Sequence, residues 1–304
     1  VSWFLDPFQS EFMQHAAIVA AIVGILAPAV GVWMVLRGLA YLGDAMSHAT
    51  LGGVAVAVLL GWSVTVGALA AGLLMAVLIA LLSTRPRLRE DAIIGVVETI
   101  LFAIGVIVIT KNGTGVDLSH YLFGQITTVS DADIATNAAL AVVALGILWL
   151  VRQDLLAATF DPLHAVQVGI HVTRLRYVLL VLVSVTVVVS LSTVGLLMSV
   201  AMLITPAAAA RLVTDRIGTM TAVACGIGVT SALGGLVVSY HLSSPPGATI
   251  ALVAAGWLLA LAGLTSTKGR IASRRRHRQR RPQPARQPTR DHGRTPASTD
   301  AKLS

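Results

Sequence analysis

The chain has 304 residues, 56% of them hydrophobic and 12% charged, with a mean hydropathy of +0.82. These proportions exclude an ordinary soluble domain and predict an all-α polytopic membrane bundle of about eight or nine spans. The formal charge of +8 sits largely in a tail from Lys268 onward, and the single cysteine, Cys225, excludes an intrachain disulfide framework and a cysteine-rich zinc site.

The N-terminal VSWFLDPFQSEFMQ carries acids and no basic region, so the first apolar run is expected to remain as a span rather than a cleaved signal. Apolar runs predict helices at about 15–36, 39–60, 63–84, 92–110, 133–151, 177–192, 195–213, 218–240 and 247–266, taking roughly 20 residues per span. The sixth and seventh are cramped and read equally well as one broken segment. Arg37, Arg85, Arg87, Arg89, Arg152, Arg174, Arg176, Arg211 and Arg216 fall in alternate loops, with Lys111 alone on the other side. This bias predicts that the arginine loops and the C-terminus are cytoplasmic and the N-terminus outside.

The second span contains GDAMSHATL from Gly43 to Leu51. Asp44 and His48 are separated by one helical turn, and the expectation is a shared polar stripe of Asp44, Ser47 and His48. A mid-bilayer aspartate costs about 2.5 to 3.5 kcal/mol on insertion scales, so the stripe should face a bundle interior or an aqueous path, and ion passage is the first hypothesis. The competing structural reading is a contact in which Asp44 and His48 merely neutralise each other. Glu98 in the fourth span is a further candidate ligand or proton site, against the plainer alternative of a carboxyl paired with a neighbouring hydroxyl. Glu90 and Asp91 open that span and suit its positive end. On the outer side, Asp117, His120, Asp131 and Asp133 read as solvated loop residues. His15, His164 and His241 read as interfacial.

The longest arginine-rich connection, Arg152 to Arg176, contains FDPLHAVQVG from Phe160 to Gly169. Asp161 is a good N-cap, Pro162 suits the first helical position and Gly169 can end the turn, which predicts a short helix suited to docking a cytoplasmic partner. Beyond it, Thr205-Pro206 frees a backbone carbonyl late in the seventh span and implies packing at the core. No phosphate-binding loop GxxxxGK[ST] occurs, so nucleotide-driven transport would borrow its ATPase from another polypeptide, and the chain is expected not to be an enzyme. The division is a transmembrane portion, 1–266, and a basic tail, 267–304, expected to be disordered and to lie against anionic lipid. Nucleic-acid binding is not expected, because no aromatic residues interleave with the arginines.

Several segments in order resemble the permease subunit of the zinc/manganese/iron uptake branch of bacterial ABC transporters. They are GDAMSHATLGGVAVA from Gly43, REDAIIGVVETILFAIG from Arg89, DLSHYLFGQI from Asp117, FDPLHAVQVGI from Phe160, VGLLMSVAMLITPAAAARL from Val194 and SYHLSSPPGATI from Ser239. The resemblance covers His15 to Thr265 and implies an ABC importer permease in the bacterial plasma membrane. It further implies a second permease, a copy of this chain (a homodimer) or a close relative, together with cytoplasmic ATPase subunits and an extracytoplasmic metal-binding protein. It places Asp44 and His48 on the metal path and makes the Phe160–Gly169 segment, with Asp161, Pro162, Ala165 and Gly169, the ATPase-coupling element. No permanently bound cofactor is implied; manganese, zinc or iron is the cargo, which an imidazole and a carboxylate suit. Two departures are Gly52, where relatives commonly carry proline, and Glu98, where they more often carry an uncharged residue. From the residues alone, a self-contained secondary metal/proton transporter using Asp44, His48 and Glu98 is the alternative.

Overall fold

A computed structural model describes residues 6–83, 87–112 and 130–279. Arg85, Asp117, His120 and the tail beyond Gln279 lie outside the described residues. The chain divides into two compact units, Val1–Thr265 and Ser266–Ser304. Among the described residues the elements are helical: after a 3-10 turn at Asp6–Gln9 come α1 (Glu11–Leu36), α2 (Ala40–Leu60), α3 (Val64–Leu82), α4 (Glu90–Asn112), α5 (Asp131–Phe160), α6 (Pro162–Gln167), α7 (Val172–Arg211), α8 (Ile217–Leu242) and α9 (Pro246–Gln279). Among the described residues eight helical segments are long and apolar enough to cross a membrane, and Gly195–Arg211 is a shorter apolar helix.

The helices end where the sequence supplies a reason. Ser63 caps α3 by accepting from the Val66 N–H, and Ser130 and Asp133 form a reciprocal capping box on α5. Gly38 and Gly61 adopt positive φ just past α1 and α2, where a residue with a Cβ is disfavoured. α5 exceeds its predicted end and runs to Phe160, because Leu155 and Ala158 are still buried against the bundle. The basic tail begins as helix, since α9 continues to Gln279 where composition predicted disorder; arginine is a good helix former.

α7 resolves the cramped pair of predicted spans. Its 40 residues would reach about 60 Å if straight. Instead Gly195 takes φ 81° and ψ 173°, a conformation essentially reserved for glycine, and the chain reverses. The contacts trace the reversal along α2. In the first arm Arg176 meets Ser83 and Glu90, Ser184 lies at Gly72, and Val188 packs with Val54 and Ala68. In the second arm Leu196 returns to Leu51, Leu203 reaches Gly43 and Gly31, and Ala207 and Ala210 pack with Val32 near the end of α1. Both ends of α7 therefore lie toward the Arg37 end of the bundle. The second arm is mostly buried, with Met202, Leu203, Pro206, Ala207, Ala209 and Ala210 in the interior, as the proline implied.

α1 runs through the middle, packed by α5, α7 and α8. α4 packs on α2 and α3 and keeps much of its length uncovered, with Val96, Ile100 and Ile107 each more than half exposed.

Candidate functional site

α2 separates two surfaces by its helical period. Leu42, Ala45, Met46 and Ala49 are fully buried, whereas Tyr41, Asp44 and His48, at i, i+3 and i+7, share the uncovered side that borders α4. The His48 Nε2 to Asp44 Oδ1 distance is 3.7 Å, with the side chains 33% and 41% exposed respectively. That separation is within ion-pair reach but beyond hydrogen-bond range, so neither side chain is hydrogen-bonded to the other.

Ser47 does not belong to the stripe, contrary to the expectation from spacing. At about 100° per residue it turns roughly 60° to one side of Asp44 while His48 falls roughly 40° to the other. It is fully buried and its hydroxyl donates to the Gly43 carbonyl of its own helix at 2.9 Å.

α4 closes one flank of the pair because two glycines let the backbones meet. A Cβ on Gly52 would lie 2.2 Å from the Leu101 carbonyl oxygen, and one on Gly105 would lie 2.5 Å from the Gly52 Cα. The departure at Gly52 thus leaves α2 a continuous helix and serves close approach instead of a proline bend. The approach sets the Phe102 ring edge-on to His48, centroids 5.7 Å apart at 79°. It also lets the Tyr41 hydroxyl donate to Glu98 Oε2 at 2.6 Å. Tyr41 was not singled out from the sequence, although its place three residues before Asp44 puts it on the same face. Glu98 joins α2 through this tyrosine; among the described residues no three His, Cys, Asp or Glu side chains come together to hold a metal ion.

At the arginine end, Arg176 donates to Ser83 Oγ at 2.7 Å and to Glu90, tying α7 to the α3–α4 junction. Glu90 therefore does more than start a helix. Arg37 Nε donates to Thr159 Oγ1 at 3.0 Å. Burial holds the Arg37 guanidinium below its ordinary value, opposed by nearby Glu90 and reinforced by Arg176. Next to Thr159 begins α6: Asp161 Oδ1 accepts from the His164 N–H at 2.9 Å, Pro162 occupies the first turn and Gly169 has φ 84°. Ala165 is fully buried and anchors the helix, while Phe160, Leu163 and Val166 are 63%, 79% and 62% exposed. At the opposite end His15 Nε2 lies 3.4 Å from Asp131 Oδ1, and the Asp131 side chain is 91% exposed, so that aspartate is solvated as expected, with His15 beside it. Asp133 is committed to the capping box, and His241 Nδ1 lies 2.9 Å from the Val237 carbonyl one turn back on α8.

Residues 9–264 match the model of the ABC 3 transport family. The chain is 40% identical to the manganese transport system membrane protein MntC of Halalkalibacterium halodurans, over 90% of this chain and 94% of that one. It is 35% identical to the chelated iron transport system membrane protein YfeC of Yersinia pestis, over 90% and 95%. Among solved structures it is similar to PsaBC from Streptococcus pneumoniae in complex with Fab, with a TM-score of 0.77 and 36% identity, covering 85% of this chain and 94% of that chain.

Proposed function

The chain belongs to the ABC 3 transport family and is a multi-pass metal-transport permease, and we propose that it imports a divalent transition metal into the cytoplasm along the Asp44–His48 face of α2. The observation that carries the reading is a carboxylate and an imidazole 3.7 Å apart, both partly exposed on a helix long and apolar enough to cross a membrane. A mixed oxygen and nitrogen pair suits manganese, iron or zinc, whereas magnesium and calcium favour oxygen alone. The names of the relatives favour manganese or iron; zinc stands on the ligand chemistry only.

Two ligands make an incomplete shell. A second copy seated on the α2–α4 face would bring two aspartates and two histidines together about a two-fold axis and remove partly exposed acids from lipid. The cargo must also leave, so the site is expected to be weaker than a structural zinc centre. On this reading the arginine end and the basic tail are cytoplasmic, the tail against anionic lipid. The apolar outer surface of α6, with Leu163 and Val166 exposed and Asp161, Pro162, Ala165 and Gly169 shaping the turn, receives one of two separate ATPase subunits. An extracytoplasmic binding protein delivers the metal at the His15–Asp131 end. The secondary-transporter alternative is not favoured, since the family match runs through residues 9–264.

The test is uptake of Mn(II), Fe(II) and Zn(II) into proteoliposomes holding this chain with its ATPase and binding protein, with and without ATP. ATP-dependent accumulation of one of these metals is expected. Accumulation driven by a proton gradient without ATP would overturn the reading.

A further inference from the structure

We propose that Glu98, held in place by Tyr41, is a second cation station on the cytoplasmic side of the Asp44–His48 pair, taking the same divalent metal as it leaves. The inference rests on the reading of Asp44 and His48 as the metal path. Tyr41 is three residues before Asp44 on the same uncovered face, which places it about 4.5 Å nearer the arginine end of α2. Its hydroxyl reaches across to α4 and donates to Glu98 Oε2 at 2.6 Å, leaving Oε1 free to accept.

Glu98 has a hydroxyl partner in Tyr41, as the plainer alternative expected, but that partner carries no positive charge. Among the described residues no cationic side chain lies within 4.0 Å of it, the ion pairs there being His15–Asp131, His48–Asp44 and Arg176–Glu90. The adjacent Thr99 hydroxyl donates to the Gly95 carbonyl and not to Glu98. Val96 and Ile100, two residues away and so on the other side of α4, are exposed and apolar, which makes the outer surface of this helix apolar. A carboxylate in such surroundings is costly unless a cation or water completes it. Tyr41, a neutral donor, supplies one short hydrogen bond to the carboxylate, which orients it toward α2 and brings no positive charge.

The same geometry separates Glu98 from the shell of Asp44 and His48. No three-ligand group forms among the described residues, so Glu98 does not simply complete that pair. Phe102, one turn beyond Glu98 on α4, meets His48, while Glu98 itself meets Tyr41, so α4 touches the stripe at two successive levels. A cation released from the upper level finds a carboxylate at the lower one. Tyr41 is a positioning residue here: it acts through Glu98.

The experiment uses the full transporter in proteoliposomes and Mn(II), with Glu98→Gln, Glu98→Asp, Tyr41→Phe and Asp44→Ala. Glu98→Gln is expected to lower the maximal ATP-driven uptake rate by about tenfold while the half-saturating Mn(II) concentration stays within about twofold, and Tyr41→Phe to lower the rate by about threefold. Glu98→Asp should recover part of the loss, and equilibrium Mn(II) binding followed by electron paramagnetic resonance should show the Asp44–His48 site retained in Glu98→Gln. Wild-type uptake by Glu98→Gln, or loss of binding at the upper site in parallel with the rate, overturns the proposal. If Glu98→Gln fails to fold, Tyr41→Phe carries the same test, and an unchanged maximal rate there overturns it. Asp44→Ala separates the two failures: wild-type uptake by that variant removes the metal-path reading itself, whereas its inactivity beside a wild-type Glu98→Gln removes only the second station.

Discussion

Two glycine contacts in this bundle use one device for different ends. Between α1 and α8, a Cβ on Gly228 would lie 2.2 Å from the Gly24 carbonyl oxygen and 2.6 Å from the Pro28 ring. Around this seam the flanking residues are apolar or small, and Val23, Ala27, Ala224 and Ala232 are fully buried. Between α2 and α4, Gly52 and Gly105 bring the backbones equally close, yet Asp44, His48, Tyr41 and Glu98 stand along the edge and remain partly exposed. Close approach serves cohesion in the first case. In the second it sets polar groups from two helices at fixed heights along one face.

Substitutions can break that contrast. Gly228→Ala drives a side chain into backbone that cannot yield, and overpacking of this kind costs about 1 to 3 kcal/mol or more, so a drop in the thermal midpoint of the purified permease is expected as its main effect. Gly52→Ala is expected to lower ATP-driven metal uptake by about tenfold with a smaller fall in the midpoint, because α4 lies at the rim and can shift. Equal stability losses with unaltered uptake in both would erase the distinction. Gly195→Ala forces a Cβ onto the ε-type backbone of the α7 reversal and should cost about 1 to 3 kcal/mol, seen as a lowered unfolding midpoint.

Smaller effects sharpen the comparison. Asp161→Ala removes the cap of α6 at a local cost of about 1 kcal/mol, and the expected readout is more ATP hydrolysed per metal ion moved. An unchanged ratio would reject α6 as the docking element. Phe102→Leu removes the ring edge from His48, a contact of about 0.5 to 1.5 kcal/mol, and should raise the half-saturating metal concentration while leaving the fold intact.

The Asp44–His48 pair was legible because two polar residues one turn apart stand out in an apolar run. The capped helix α6 was legible because its punctuation is local: Asp161 and Pro162 open it and Gly169 ends it. The Tyr41–Glu98 bond joins residues 57 positions apart, so no spacing rule exposes it. The reversal at Gly195 was only half legible, since a lone glycine between valine and leucine carries no turn signature and the pattern allowed either two spans or one broken one. Ser47 was misplaced because a polar residue near a stripe need not face it; the helical angle turned it inward. Gly52 reads as a departure from a family pattern until α4 is seen pressed against it.

The most direct test of the central claim is the initial rate of ATP-dependent Mn(II) uptake by Asp44→Ala and His48→Ala, measured beside wild type at equal reconstituted amounts in proteoliposomes with the ATPase and binding protein. Uptake at the level of ATP-free vesicles in both variants, with membrane insertion intact, is the predicted result. Wild-type rates in both would contradict the assignment of the α2 face as the metal path.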